Sequence, residues 1–223
     1  MILGYNNAVN PNSAVVAVDN SQMGAVYKGL EIVKNCCCGG CCGELFLFAT
    51  DFRNGRIDVF DSQFNYLNSI TVYNIPPGYA PFNVRKLDCL IYVTYAKQLP
   101  PDNQDDDPGP GRGFVDVFTE TGLHVKRLIS QGQLNSPWGL AIAPETFGQF
   151  AGALLVGNFG DGLINAYDRC TGDFLGSLTH PDGTLIKIPG LWSLDFDCYG
   201  HLYFTSGPNN ETGGLVGNIS WVP

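Results

Sequence analysis

Positive charge is scarce in this chain: 12 Lys and Arg stand against 21 Asp and Glu in 223 residues, a net charge of −9. No basic run could neutralise successive phosphates, so nucleic acid and anionic membrane surfaces are poor partners. Charged residues of both signs make up only 15%, well under the roughly 25% of ordinary soluble domains. Long apolar runs are missing too. None approaches the ~20 residues that a membrane-spanning helix needs, and Met1–Asn10 has neither the basic nor the apolar region of a secretion signal. The expectation is a soluble chain with no membrane span and no signal peptide. Helical periodicity and the Gly-x-Ser-x-Gly elbow are also lacking, and the three histidines, His124, His180 and His201, fall on different strands or turns. Nucleophilic catalysis is left without a constellation.

Gly (28) and Pro (14) are plentiful, which suits many short strands joined by tight turns. The clearest unit is Ala153–Leu178, three strands separated by two turns. Relatives of it recur. A first strand is found at Lys28-Gly29-Leu30-Glu31-Ile32, Phe82-Asn83-Val84-Arg85-Lys86, Trp138-Gly139-Leu140-Ala141-Ile142 and Trp192-Ser193-Leu194-Asp195-Phe196, with starts 54, 56 and 54 residues apart. An apolar second strand follows at Leu45–Thr50, Leu90–Tyr95, Leu154–Asn158 and Leu202–Ser206. After a Gly-containing turn comes a third: Gly55-Arg56-Ile57-Asp58-Val59-Phe60, Gly113-Phe114-Val115-Asp116-Val117-Phe118, Gly162-Leu163-Ile164-Asn165-Ala166-Tyr167 and a diverged Gly214-Leu215-Val216-Gly217-Asn218-Ile219. A fourth closes the first three copies at Tyr66–Val72, His124–Ile129 and Phe174–Leu178. Four antiparallel strands per repeat is the unit of a β-propeller blade, whereas a sandwich has no reason to keep a fixed period. The expected architecture is one all-β propeller domain. It comprises remnant strands of a preceding blade (1–20), three blades (21–74, 75–130 and 131–184) and an incomplete last blade (185–223).

The segments Tyr27-Lys28-Gly29-Leu30, Pro77-Gly78-Tyr79-Ala80-Pro81-Phe82-Asn83, Tyr92–Gln98, Asn135-Ser136-Pro137-Trp138-Gly139-Leu140 and Leu155–Gly162 resemble an uncharacterised family of mostly secreted bacterial propeller proteins related to NHL-repeat proteins. That resemblance implies six blades, an extracellular, surface or particle-associated location and no established activity. Six blades of ~55 residues need about 330 residues, so this chain holds about four. An open arc exposes strand edges, which proteins ordinarily avoid. The expectation is a second chain completing the ring or a truncated product, with a closed four-blade ring, completed by Ala14–Val18, as the alternative.

Strand alternation sorts the loops onto two faces. One carries the second-to-third-strand loops and the entry to each first strand: Lys28, Asp51, Arg53, Phe82, Tyr95, Lys97, Trp138, Asn158, Asp161, Trp192 and Asn209. Aromatics beside polar groups make this the candidate ligand face, although Trp138 and Trp192 equally suit wedges between blades. The other face collects all eight cysteines, Cys36, Cys37, Cys38, Cys41, Cys42, Cys89, Cys170 and Cys198, as free thiols, disulfides, interchain cross-links or, through Cys38-Gly39-Gly40-Cys41, soft-metal ligands.

The loop holding Asp102, Asp105, Asp106 and Asp107 is either a solvated acidic loop or a candidate calcium site, since hard cations take several oxygen ligands. The residues favour a non-enzymatic interaction scaffold with a protein partner. The alternatives are a divalent-metal hydrolase of lactonase type, by fold analogy alone, and a structural subunit cross-linked through its cysteine rim.

Overall fold

The computed structural model describes residues 1–34, 43–72 and 74–221. A hairpin of β1 (Ile2–Gly4) and β2 (Val15–Val18) precedes blade one, formed by β3 (Tyr27–Lys34), β4 (Leu45–Asp51), β5 (Arg56–Phe60) and β6 (Tyr66–Ile70). Blade two is β7 (Tyr79–Leu87), β8 (Leu90–Lys97), β9 (Phe114–Thr119) and β10 (His124–Ser130). Blade three is β11 (Pro137–Ile142), β12 (Leu154–Asn158), β13 (Ile164–Tyr167) and β14 (Phe174–Ser177). Blade four has three strands, β15 (Leu191–Phe196), β16 (Leu202–Ser206) and β17 (Leu215–Ile219). Every pairing is antiparallel between sequence neighbours, so each sheet is a meander around a central axis.

The described residues form four blades around the axis, with sheets of four, four, four and three strands, which corrects the six blades implied by the resemblance. The closure by Ala14–Val18 is corrected too. β2 pairs with β1, and the pair packs Ile2 and Val18 on Ala49 and Phe60 of blade one rather than on β17.

Alternation along each strand sends one set of side chains toward each neighbouring blade, so the cores lie between blades. Val33, Ile57 and Val59 of blade one meet Val84, Ile91 and Val93 of blade two. Val115, Val117 and Leu128 of blade two meet Leu140, Leu154 and Val156 of blade three, and Leu155, Ile164 and Leu178 meet Leu191, Leu194 and Leu202 of blade four. Across the axis, Arg85 of blade two donates to the Leu194 carbonyl at 2.9 Å and pairs with Asp195 at 3.1 Å, with Glu31 of blade one 3.9 Å away.

A buried polar residue at one repeat position ties the third strand to the fourth. Asp58 accepts from Ser69 at 2.6 Å and from the Tyr27 hydroxyl at 2.7 Å; Asp116 holds Arg127 at 2.8 Å; Asn165 accepts from Ser177 at 2.6 Å. All three are essentially inaccessible to solvent. In blade four this position is Gly217, where an added Cβ would lie 2.4 Å from the Phe204 ring.

Candidate functional site

Each innermost strand carries one extra residue where its register with the second strand slips, between Tyr27 and Leu30, Pro81 and Asn83, Pro137 and Gly139, and Leu191 and Leu194. Lys28, Phe82, Trp138 and Trp192 lie in these bulges. A bulge re-aims a side chain and leaves a backbone group outside the ladder. Three blades satisfy that group with a second-strand threonine: Thr50 accepts the Gly29 amide at 2.7 Å, Thr94 that of Asn83 at 3.0 Å and Thr205 that of Ser193 at 3.1 Å. Gly29 is required here, because a Cβ would sit 2.8 Å from Asn83 Cα on the neighbouring inner strand.

The aromatic bulge residues meet at the mouth of the axis. Trp138 and Trp192 pack edge to face at 4.5 Å, Phe159 lies 4.5 Å from Trp192, and Phe82 sits below Trp138 at 4.8 Å. Phe82 is fully buried on Phe52, Ala80 and Ala96, while Trp138, Phe159 and Trp192 stay partly open. Offset and edge-to-face pairs add about 0.5–1.5 kcal/mol each beyond burial, so the cluster both joins blades two, three and four and presents aromatic surface. Tyr95, expected on this face, instead packs its ring in the core between blades one and two, where burial raises its hydroxyl pKa well above the ordinary value.

The polar candidates hold the surrounding loops. Asp51 is fully buried, accepting from the Val26 amide at 3.0 Å and Asn54 Nδ2 at 2.7 Å. Asn158, also buried, accepts from the Asn135 amide at 3.2 Å and donates to the Gln133 carbonyl at 2.8 Å. Asp161 accepts from the Leu163 amide at 3.1 Å and from Asn135 Nδ2 at 3.2 Å. Arg53 and Asn209 are exposed on turns, Asn209 in left-handed backbone. Two residues not singled out from the sequence bind these loops together. Asn135 accepts from the Gly109 amide at 2.7 Å and donates to Asp161, joining the loops of blades two and three. Gln98 donates to the Phe52 carbonyl at 2.6 Å, joining blades one and two.

In the acidic loop, Asp105 pairs with Lys28 at 2.8 Å, and Asp107 pairs with Lys97 at 3.3 Å and Arg112 at 2.5 Å. Asp106 is turned inward; burial raises its pKa against the opposing pull of the Ser136 hydroxyl and Lys28. Asp102 is exposed. Of the candidate calcium ligands, Asp105 thus reaches across to blade one while Asp107 is paired within blade two, and among the described residues no group of three or more His, Cys, Asp or Glu is arranged to hold a metal ion. On the opposite face Cys89, Cys170 and Cys198 are exposed free thiols in inter-strand turns. Cys36, Cys37, Cys38, Cys41 and Cys42 lie outside the described residues.

Fold and mouth together define a β-propeller whose blades meet on an aromatic cluster. No family model matches the chain. It is similar to two uncharacterised proteins of Acanthamoeba polyphaga mimivirus. One is 33% identical over 225 residues, covering 96% of this chain and 57% of that protein; the other is 32% identical over 225 residues, covering 96% and 54%. The chain thus spans about half the length of the curated relatives it matches. These viral relatives overturn the expected kinship with secreted bacterial propellers: the motifs that suggested it are blade-packing and turn residues, which do not distinguish lineages. Among solved structures, a gluconolactonase from Xanthomonas campestris superposes with a TM-score of 0.50 at 18% identity, covering 77% of this chain and 54% of that one. At that identity the likeness is one of fold. Among the described residues no helix is long and apolar enough to cross a membrane.

Proposed function

We propose that this chain is a non-enzymatic interaction scaffold that takes a protein partner at the aromatic mouth of the propeller. One observation carries the reading. The bulge of each inner strand turns the same repeat position toward the axis, and in blades three and four that position is a partly open tryptophan, with Phe159 beside them. Tryptophan gives large contact area for few rotatable bonds and dominates binding hot spots. The polar groups around it, Asp51, Asn158 and Asp161, are occupied in fixing loops, which suits a rigid platform better than proton transfer. The net charge of −9 favours a basic partner by long-range attraction.

A displayed peptide library panned against the immobilised chain tests this, with Trp192→Ala as counter-screen and Trp192→Phe as fold control. Enriched sequences should lose at least tenfold in affinity for Trp192→Ala and bind Trp192→Phe more closely to wild type. Peptides indifferent to Trp192 would put binding elsewhere. Chelator-sensitive hydrolysis of a lactone panel would replace the scaffold reading with the lactonase one.

A further inference from the structure

Blades one and two are both complete four-stranded sheets and follow each other in the chain. Their junction nevertheless holds a cavity of about 140 Å³, walled by Ile70, Ile75, Pro81, Tyr79 and Tyr95 and reaching the turn at Gly55. Comparison of the repeats shows that this opening is particular to the first junction. The glycine leading into each third strand is covered elsewhere: a Cβ on Gly113 would lie 2.5 Å from Pro137 and 2.9 Å from Leu134, and one on Gly162 would run into the Ile188 carbonyl. On Gly55 it would meet nothing within 4 Å. The inner strands of blades two and three start 56 residues apart, so the fully buried Leu134 of the second junction corresponds to an exposed Gly78 in the first.

Polar satisfaction differs in the same way. Tyr95 stands opposite Pro81 in the ladder as Asn158 stands opposite Pro137. Asn158 is bonded to the Asn135 amide and the Gln133 carbonyl. Tyr95 is only 3% exposed, yet its hydroxyl has no hydrogen-bond partner among the described residues. Buried hydroxyls are costly without a partner, and native structures normally supply one. We propose that the junction of blades one and two binds a small neutral molecule, an aliphatic body of about six heavy atoms whose carbonyl oxygen accepts a hydrogen bond from Tyr95. The size follows from the volume, since an apolar cavity of about 150 Å³ takes up benzene. Apart from the two tyrosine hydroxyls, the described lining is aliphatic, proline and glycine, which suits an apolar body. No charged residue is among the described lining, so an ion would be desolvated there without a counter-charge. Burial keeps the Tyr95 phenol protonated, so it donates and the ligand accepts.

The probe is cyclopentanone, with the cyclopentylammonium ion as its charged counterpart, titrated into the isotope-labelled chain and followed through backbone amide shifts. Cyclopentanone should give saturable shifts centred on Gly55, Ile70, Ile75 and Tyr95, and the ammonium ion should bind at least tenfold more weakly. Tyr95→Phe keeps the ring and removes only the hydroxyl; it should weaken cyclopentanone binding about three- to tenfold, the worth of one hydrogen bond. Without the probe that variant should melt no lower than wild type, because the lost hydroxyl had no protein partner. Ile75→Phe, which fills the cavity, should abolish the saturable shifts. A cavity that keeps only water gives no saturable shift, and that result would overturn the proposal. So would equal binding of the two probes, unchanged cyclopentanone binding by Tyr95→Phe, or shifts centred on Trp192, which would put the probe at the mouth instead.

Discussion

Blades two and four begin alike and end differently. Both have a bulged inner strand whose displaced amide, of Asn83 or Ser193, is received by a threonine of the second strand, Thr94 or Thr205. At the third strand they part. Asp116 of blade two is fully buried and draws Arg127 and His124 of the fourth strand onto itself at 2.8 and 3.2 Å, while Gly217 of blade four offers no side chain and lies under the Phe204 ring. One pair of positions thus exchanges volume for polarity: Val93 beside Asp116, Phe204 beside Gly217. Where the pair is polar, a fourth strand is anchored and the outer junction is filled. Where it is aromatic and glycine, the junction stays an apolar groove. In blades one to three a buried polar residue on the third strand thus holds the fourth.

The most severe way to break this comparison is to take the anchor from blade two. Asp116→Ala leaves Arg127 held only by Asn74 and the Phe114 face, with its charge partly buried. Breaking a buried ion pair from one side costs about 3–5 kcal/mol. Solvent reaches Arg127 and it keeps the Asn74 contacts, so the lower end, about 3 kcal/mol, is expected as a fall in the urea midpoint. Arg127→Met on that background should recover part of it, because the unpaired charge is gone. A single variant as stable as wild type would show that β10 is held by its apolar contacts alone.

A smaller effect is expected from making blade four resemble blade two. Gly217→Asp alone drives a side chain into the Phe204 ring, and overpacking of this kind costs about 1–3 kcal/mol. Adding Phe204→Ala removes the clash, so the double variant should be less destabilised than the sum of the two single changes, by about 1 kcal/mol or more in a double-mutant cycle. Simple additivity would mean that the two positions do not exchange volume.

The period and the strands were legible because each repeats at a fixed offset, and two-residue alternation survives wherever a strand is half buried. What could not be read arises between repeats. Lys28 finds Asp105 77 residues away, and Asn135 reaches Asp161 across 26 residues; a composition that shows an acidic loop does not show which cations are folded onto it. Tyr95 and Asp51 sit where strand direction placed them, but their side chains are buried, Tyr95 in the core between blades one and two and Asp51 on the Val26 amide and Asn54. Asp58, Asp116 and Asn165 recur visibly in the third-strand signature. Their anchoring role needed the fourth-strand partners Ser69, Arg127 and Ser177, which share no single residue type, to be seen beside them.

The mildest change sharpens the contrast between the junctions at the loop face. Between blades three and four the contact is backbone to backbone, the Ile188 amide donating to the Gly162 carbonyl at 2.9 Å. Between blades two and three it includes the inward-turned Asp106, whose pKa burial raises above the ordinary carboxylate value. A carboxyl with a raised folded-state pKa contributes stability that is fully present below its unfolded pKa, near 4, and is lost as pH rises through the folded value. Wild type should therefore lose a little stability as pH rises across that window, and Asp106→Asn should not. Thermal melts at pH 3 should coincide for the two proteins, and at pH 7 the variant should melt slightly higher. A variant that melts lower at pH 7 would mean that Lys28 and the Ser136 hydroxyl outweigh burial, and that the acidic loop clamps blades two and three by charge.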